Sequence, residues 1–366
     1  MDLALVLSLV AGLVLLVLGG ELLVRGGSGL GRAMGLSPLV VGLTIVAFAT
    51  SAPELAVSLD AALSGSPAIA VGNVVGSNIT NVLLVLGLSA LLLPVAVSSQ
   101  LVRTDVPVMV VLSVLVLLLA LDGSVGRVEG VALVALLSAY VAWIVRLSRR
   151  EGRDASPAEA APPAPRRPLV DAVLVVVGVG LLVLGARLLV SGATGIATSF
   201  GVSELVIGLT VVAIGTSLPE LATSVIAAIR GERELAVGNV VGSNIFNLAG
   251  VLGLTAALVP GGLPVDPAAL RFDLPVMLAV AVVLVPVVFT GFTIARWEAA
   301  VFVAYFVAYV AYLLLAAADH DALPTFSSVM LAFVVPITGL TLAVLMAYEV
   351  GLRRGRRQER APGGQR

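Results

Sequence analysis

The sequence predicts an all-α polytopic membrane protein, with two inverted repeats of five helices and an eleventh helix near the C-terminus. Three observations support this fold class. Of the 366 residues, 59% are hydrophobic and only 12% are charged, whereas soluble domains carry about 25% charged residues. Apolar runs long enough to cross about 30 Å of hydrocarbon recur along the whole chain. One apolar stretch that contains a glutamate occurs twice, 166 residues apart.

Eleven apolar segments are long enough to span a membrane. They lie near residues 2–24, 37–64, 69–93, 104–121, 128–148, 169–191, 203–230, 235–259, 271–291, 297–318 and 325–350. The first segment has no basic leader and no small-residue cleavage site, so we expect a retained helix and not a signal peptide. The sequence suggests no function for the eleventh helix.

The predicted helices divide the chain into four parts. The first repeat covers 1–148 and the second covers 169–318. Between them, 149–168 is a polar segment rich in proline and alanine, which we interpret as a cytoplasmic linker too short to fold alone. Residues 319–366 hold the extra helix and a basic cytoplasmic tail.

The arginines predict the orientation, because the chain contains no lysine. If the N-terminus is outside and the helices alternate, 18 of 21 arginines fall in cytoplasmic loops or the tail. Positively charged residues concentrate on the cytoplasmic side of membrane proteins. We therefore expect a multi-pass protein of the plasma membrane, with its N-terminus outside and its linker and C-terminus inside.

The internal repeat extends well beyond the stretch with the glutamate. Residues 42–59 and 208–225 are identical at 12 of 18 positions, and Val71–Ile79 matches Val237–Ile245 throughout. Each half has five helices, an odd number, so the second half is predicted to enter the membrane upside down. Inverted repeats with broken helices at matching positions are typical of secondary transporters, which bind their cargo near the bilayer midplane.

The second predicted helix carries a polar face around its glutamate. Ala47, Thr50, Ser51 and Glu54 are spaced i, i+3, i+4 and i+7, so they share one side of a helix. Pro53 lacks an N–H and is expected to kink the helix and free nearby carbonyls. A charge within a membrane helix costs about 3 kcal/mol on insertion scales, which marks the glutamate as functional.

The matching residues of the second half are Ala213, Thr216, Ser217 and Glu220, with Pro219 as the proline. The partner helices add Ser77 and Asn81, and Ser243 and Asn247. Four such helices would enclose a cage of oxygen atoms with two negative charges. Carboxylates, hydroxyls and carbonyls suit Ca²⁺, which takes about 6–8 oxygen ligands. Two carboxylates balance one Ca²⁺ or two monovalent cations, which is the charge relation that an antiporter needs.

Other polar residues of these helices have simpler interpretations. Asn73, Asn78, Asn239 and Asn244 are expected to form hydrogen bonds between helices. Asp105 and Asp273 lie near predicted helix ends and are expected at the membrane interface. For the hydroxyl residues of the polar faces, the alternative to ligation is a bond to the carbonyl four residues earlier.

The duplicated blocks Gly-x-x-x-x-Ala-x-x-Thr-Ser-x-Pro-Glu and Gly-Asn-x-x-Gly-Ser-Asn-x-x-Asn resemble the two α-repeats of sodium/calcium exchangers, within the cation/Ca²⁺ exchanger superfamily. The resemblance covers residues 1 to about 318. It implies a ten-helix core in which helices 2, 3, 7 and 8 hold the ions and helices 1 and 6 slide across them. The ion ligands that it implies are Ala47 (carbonyl), Thr50, Ser51, Glu54, Ser77, Asn81, Ala213 (carbonyl), Thr216, Ser217, Glu220, Ser243 and Asn247.

Two features bear on the coupling ion. An aspartate is common in the family where Asn247 stands, so the number of Na⁺ ions in each cycle stays open. Proton-coupled relatives typically carry a histidine near this glutamate, whereas the only histidine here is His320, in a predicted loop. The sequence therefore favours Na⁺/Ca²⁺ exchange, with H⁺- or K⁺-coupled cation antiport as the alternative.

Other function classes are disfavoured. A channel would need symmetry about the membrane normal, not an inverted repeat. An intramembrane hydrolase that used Ser51 or Ser217 would need an oriented base in an asymmetric site. The chain has no cysteine, and its net charge of −1 argues against nucleic-acid binding. We expect no enzyme activity, no cofactor and no protein partner, only transported Ca²⁺ and Na⁺ and the lipid bilayer.

Overall fold

The computed structural model describes residues 3–154, 168–201 and 213–360. Within them, ten helices are long and apolar enough to cross a membrane, and a shorter apolar helix lies among them. The helices are α1 Leu3–Met34, α2 Pro38–Leu63, α3 Pro67–Leu92, α4 Leu101–Asp122, α5 Arg127–Asp154, α6 Pro168–Ser199, α7 Leu218–Ile229, α8 Arg233–Leu258, α9 Ala269–Phe289, α10 Arg296–Ala317 and α11 Leu323–Gly351, the last continuing as helix to Arg360.

All predicted helices are present, although part of the predicted linker and residues 203–212 of the seventh predicted helix lie outside the described residues. The largest difference concerns α1 and α6, which are both 32 residues long and extend well past the predicted ends at residues 24 and 191. The predicted bounds followed the length of apolar chain needed to cross the membrane. In the structure both helices continue through glycines such as Gly26 and Gly192, which allow close packing between helices.

Two short antiparallel strand pairs show that the repeats are inverted. The strands are β1 Val95–Ala96, β2 Ser124–Val125, β3 Leu263–Pro264 and β4 Thr293–Ile294. β1, in the α3–α4 connection, pairs with β4, in the α9–α10 connection. β2, in the α4–α5 connection, pairs with β3, in the α8–α9 connection.

The equivalent connections of the two repeats are therefore on opposite sides of the membrane. If α4 spans the membrane, β1 and β2 lie on opposite sides, and so do their partners β4 and β3. The α3–α4 connection is equivalent to the α8–α9 connection, yet β1 and β3 end up on different sides. The predicted fold class, an all-α polytopic protein with inverted repeats, is thus confirmed.

Helices α3 and α8 are the most enclosed of the spanning helices, and α11 is the least. α2 packs against both α3 and α8, while α7 packs against α8 and α1. The α2–α8 crossing is close: a Cβ atom on Gly42 would lie 2.5 Å from the carbonyl oxygen of Leu235. Helices α2, α3, α7 and α8 thus form a four-helix core. α1 and α6 pack against each other along much of their length, outside this core.

An aspartate–tyrosine pair is present in both halves, buried in the first and part-buried in the second. The hydroxyl of Tyr140 on α5 donates to Asp105 Oδ1 on α4 at 2.9 Å, and that of Tyr309 on α10 donates to Asp273 Oδ1 on α9 at 2.9 Å. Asp105 is 0% exposed and lies near the start of α4, so its expected position at the membrane interface stays a prediction. The two pairs join neighbouring helices at equivalent places in each repeat.

Candidate cation site

Two carboxylates lie at the centre of the four-helix core. Glu54 on α2 and Glu220 on α7 are both 0% exposed, and they are close enough for their charges to repel each other. None of their four carboxylate oxygens has a hydrogen-bond partner in the part of the chain that the structure describes. Arg230 pairs with Glu21 and not with either of these glutamates. No described cationic side chain therefore neutralises the two glutamates.

The hydroxyl groups around these glutamates differ from other buried hydroxyls. In the α-helical interior, a buried Ser or Thr usually donates to the carbonyl four residues earlier. The residues that do so here are Thr44, Ser89, Ser113 and Thr255. By contrast, Ser51, Ser77 and Ser217 are at most 3% exposed, and their hydroxyls lack partners among the described residues. The back-bonding alternative does not apply to these three serines, which leaves their oxygens available to a cation.

Thr50 connects the two repeats at the site. Its hydroxyl lies 3.4 Å from the carbonyl oxygen of Ala47, 3.2 Å from Asn239 Oδ1 and 3.3 Å from Ser243 Oγ. Thr50 on α2, in the first repeat, is thus in direct contact with Asn239 and Ser243 on α8, in the second repeat. Thr50 is 1% exposed, so these groups exchange hydrogen bonds with each other and not with water.

The two central asparagines have different surroundings. Asn81 Nδ2 donates to Asn244 Oδ1 at 3.1 Å, while Asn81 Oδ1 has no partner among the described residues. An amide held by its NH₂ group presents its oxygen to the centre. In Asn247, which is 0% exposed, neither Oδ1 nor Nδ2 is bonded to a described residue. Asn244 therefore orients Asn81, and none of the described residues makes an equivalent contact with Asn247.

Widened helical turns place these asparagines. A π-helical turn covers Asn81–Leu86 in α3, and another covers Phe246–Val251 in α8. Single π turns within α-helices interrupt the regular hydrogen bonds and occur frequently at functional sites. Both turns fall at the positions that the internal repeat relates, so the distortion is duplicated along with the polar residues.

The backbone around the second glutamate is broken. Ala213–Gly215 form one helical turn, and α7 begins anew at Leu218, with Pro219 in its first turn. Pro219 has no N–H to offer, so the carbonyl of Gly215 lacks its usual helical partner. In the first repeat, α2 instead passes through Pro53 without a break. The prediction of similar kinks at both prolines missed this difference.

Two asparagine side chains hold the backbone of the two glutamates by hydrogen bonds to their carbonyl groups. Asn73 Nδ2 donates to the carbonyl of Glu54 at 3.2 Å and to Ser58 Oγ at 2.9 Å. Asn239 Nδ2 donates to the carbonyl of Glu220 at 3.5 Å and to Ser224 Oγ at 2.9 Å. The expected interhelical role of both asparagines is confirmed. Sequence reasoning missed the two serines, although each stands four residues after its glutamate in both repeats.

An open cleft reaches the site between α2, α6 and α7. Its volume is about 540 Å³, and its lining includes Pro53, Val57, Arg187, Thr216 and Pro219. Thr216 is half-buried, whereas the other site residues with described side chains are buried. Thr216 therefore lies where the cleft meets the buried site. The side chain of Ala213 is not described.

The arrangement could hold a cation by mixed oxygen ligation. No group of three or more His, Cys, Asp or Glu side chains that could hold a metal occurs within residues 3–154, 168–201 and 213–360. Two carboxylates are present, and the remaining donors are neutral hydroxyl, amide and carbonyl oxygens. Such a set suits hard cations such as Ca²⁺, which accepts 6–8 oxygen ligands.

Comparisons with known proteins agree with this geometry. A family model described as sodium/calcium exchanger protein matches residues 4–146 and 170–315. The chain is 34% identical over 339 residues to sodium/calcium exchanger MaX1 of Methanosarcina acetivorans, covering 83% of this chain and 96% of the relative. It is 41% identical over 276 residues to putative antiporter CaxA of Alkalimonas amylolytica, covering 75% of this chain and 86% of the relative.

The fold is also similar to solved structures. A structure of the sodium-calcium exchanger NCX_Mj, soaked with zero Na⁺ and Ca²⁺, superposes with a TM-score of 0.72 at 32% sequence identity. The match covers 86% of this chain and 100% of that chain. The relatives are named as exchangers and antiporters, and not as enzymes. By its sequence match over both repeats and by its fold, the chain belongs to the sodium/calcium exchanger family.

Proposed function

We propose that the protein is a secondary active antiporter that exchanges Na⁺ for Ca²⁺ by alternating access, with both ions bound between α2, α3, α7 and α8. The observation that carries this proposal is the buried pair Glu54 and Glu220, whose four oxygens lack partners among the described residues. Leaving a charge unpaired in a protein interior costs several kcal/mol. A cation supplied by the transport cycle would remove that cost.

The charge balance explains why exchange would be coupled. Asn81 and Asn247 are neutral, so the cage carries the charge of two carboxylates alone. One Ca²⁺ or two Na⁺ neutralise it equally. An empty cage retains two buried, repelling charges, so closing it without cargo is unfavourable. The site would therefore move between the two sides only when loaded, which makes the flow of one ion depend on the other.

Helices α1 and α6 are suited to control access. On the α6 side the cleft is open as far as Thr216. On the α1 side, Arg230 at the end of α7 pairs with Glu21, and Ser28 donates to Glu232 in the α7–α8 connection. We propose that α1 and α6 move together across the four-helix core, opening one route as the other closes.

Na⁺ is the favoured coupling ion, and the plasma membrane the favoured location. His320 is exposed in the α10–α11 connection, away from the core, so it is not placed to carry a proton to the site. Two of the similar proteins are named as exchangers of sodium and calcium. The arginine distribution supports an outward N-terminus, with the linker and the tail in the cytoplasm.

Transport by the purified protein in lipid vesicles tests the proposal. Vesicles loaded with Na⁺ and diluted into Na⁺-free buffer with radiolabelled Ca²⁺ should accumulate Ca²⁺. Equal vesicles with an imposed K⁺ or pH gradient should not. Uptake that followed only the pH gradient, or uptake without any counter-ion gradient, would contradict Na⁺/Ca²⁺ exchange.

A further inference from the structure

Thr223 on α7 has a hydroxyl group that the site described above does not use. Its side chain is 0% exposed, and Oγ1 lacks a hydrogen-bond partner among the residues that the structure describes. It shares this property with Ser51, Ser77 and Ser217. Thr255 on α8 is buried to the same degree, but its hydroxyl donates to the carbonyl of Val251 at 2.7 Å. An unsatisfied buried hydroxyl calls for a physical explanation.

The position of Thr223 on α7 supplies one. Ala222 and Ile226 face α1: a Cβ atom on Gly20 would lie 2.6 Å from Ile226 Cδ1 and 3.3 Å from the carbonyl oxygen of Ala222. Successive residues of an α-helix are rotated by about 100°. By this rotation Thr223 lies between the face that touches α1 and the face that carries Glu220. Thr223 is thus about one helical turn from Glu220 and lies beside the face of α7 that packs against α1.

The equivalent residue of the first repeat has opposite properties. The offset of 166 relates Thr223 to Val57. Val57 is 43% exposed and lines the open cleft beside α6. The second repeat therefore has a covered hydroxyl at the place where the first has an exposed apolar side chain. The two routes to the centre differ in chemistry as well as in accessibility.

We propose that Thr223 is a cation ligand on the access route that α1 covers. When α1 moves away, its hydroxyl oxygen and the carboxylate of Glu220 together hold a Ca²⁺ or Na⁺ ion that passes between the central cage and the aqueous side on which α7 ends. By the arginine distribution this side is the cytoplasm. The route beside Val57 has an apolar side chain at the position that the repeat relates to Thr223. The inference rests on the proposed antiport, and it makes the two faces of the protein unequal in apparent Ca²⁺ affinity.

Transport from each face tests the inference. Membrane vesicles of right-side-out and inverted orientation are prepared with wild-type protein and with Thr223→Val, which keeps the side-chain shape and removes the oxygen. Losing one neutral ligand bond should raise the half-saturating Ca²⁺ concentration at the cytoplasmic face about three- to tenfold, with a change under about twofold at the other face. An equal change at both faces, or none at either, would overturn the assignment.

Three further variants make the result specific. Thr255→Val removes a buried hydroxyl that is bonded within its own helix, so it should leave both half-saturating concentrations unchanged. Thr223→Ser keeps the oxygen and should behave as the wild type. If Thr223→Val does not accumulate in the membrane, Thr223→Ala gives the same comparison. A wild type without gradient-driven Ca²⁺ movement would refute the antiport itself, whereas active wild type with wild-type behaviour in Thr223→Val refutes the Thr223 assignment alone.

Discussion

Glu54 and Glu220 are the residues with the largest expected effect on transport. Replacing either with glutamine keeps its volume but removes one of the two charges that balance Ca²⁺. Disrupting a buried charge interaction of this kind costs about 3–5 kcal/mol, so each single variant should lose Ca²⁺ uptake into loaded vesicles. Glu234→Gln, at an exposed position early in α8, is the matched control and should retain it. Wild-type uptake by Glu54→Gln or Glu220→Gln would rule out a shared cage.

Ser77 and Ser89 allow a comparison of two buried serines on α3. The Ser89 hydroxyl donates to the carbonyl of Val85 at 2.8 Å, whereas the Ser77 hydroxyl has no partner among the described residues. We therefore expect Ser77→Ala to raise the half-saturating Ca²⁺ concentration about three- to tenfold, the effect of one neutral oxygen ligand. Ser89→Ala should leave that concentration unchanged. The measurement is initial Ca²⁺ uptake as a function of Ca²⁺ concentration.

Thermal unfolding of Ser77→Ala shows whether the Ser77 hydroxyl acts as a ligand or has a structural role. Without Ca²⁺, Ser77→Ala removes an unsatisfied buried hydroxyl and should unfold at the same temperature as the wild type or higher. With saturating Ca²⁺ it should gain less stability than the wild type does. A loss of stability without Ca²⁺ would assign a structural role to Ser77.

At the residue scale, the sequence was informative because the site is duplicated. A charge in a membrane helix is conspicuous, and the second copy at an offset of 166 identifies its hydroxyl and amide companions. What the sequence could not supply depends on contacts between distant residues. Whether a serine donates to its own helix or stays unpaired, as in Ser89 and Ser77, is decided by packing. The contact of Asn244 with Asn81, without an equivalent at Asn247, is of the same kind.

At the element scale, glycines determine how closely α1 and α6 approach. A Cβ atom on Gly178 would lie 2.7 Å from the backbone nitrogen of Leu23 and 2.8 Å from the carbonyl oxygen of Gly19. Backbone atoms cannot move aside as a flexible side chain can. Both glycines lie within the predicted spans, and the absence of a side chain at each permits the contact.

Gly178→Ala should therefore destabilise the protein, because overpacking a tight contact costs about 1–3 kcal/mol. Gly180 lies two residues further along α6, and a Cβ atom there would have no neighbouring atom within 4 Å. Gly180→Ala should instead be neutral or slightly stabilising, since alanine favours the helix. Thermal unfolding in detergent compares the two variants. Equal unfolding temperatures would show that α1 and α6 are not in tight contact.

The broken α7 shows a limit of reasoning from repeats. The two halves share Thr-Ser-x-Pro-Glu, but α2 is continuous at Pro53 and the helix before α7 ends at Gly215. A proline removes one hydrogen bond and leaves the chain free to kink or to break. Which of these occurs depends on the helices packed nearby, and α2 and α7 have different neighbours.

At the scale of the whole molecule, the inverted repeat creates two access routes that are related by sequence and unequal in structure. Counting apolar segments predicts the number of helices, and an odd number in each half predicts the inversion. The strand pairs β1–β4 and β2–β3 were not predicted, because two-residue strands have no pattern of their own. Which route is open could not be predicted either, since both routes are built from nearly the same sequence.

The orientation of the molecule can be tested at two exposed positions in equivalent connections. Ser99 lies in the α3–α4 connection and Pro267 in the equivalent α8–α9 connection, and the two connections are on opposite sides of the membrane in this fold. The chain has no cysteine, so Ser99→Cys and Pro267→Cys each introduce a single reactive thiol. An impermeant maleimide should label Pro267→Cys in intact cells and Ser99→Cys only after permeabilisation, because the arginine-rich loops remain in the cytoplasm.

Each possible outcome of this labelling has a distinct meaning. Labelling of Ser99→Cys alone in intact cells would reverse the orientation and place the N-terminus inside. It would also move the route beside Thr223 to the outer face, so the higher Ca²⁺ affinity would be expected there. Labelling of both thiols from one side would contradict the inversion that the strand pairs indicate. The expected pattern places the Thr223 hydroxyl on the route that opens to the cytoplasm, so the effect of Thr223→Val should appear at that face.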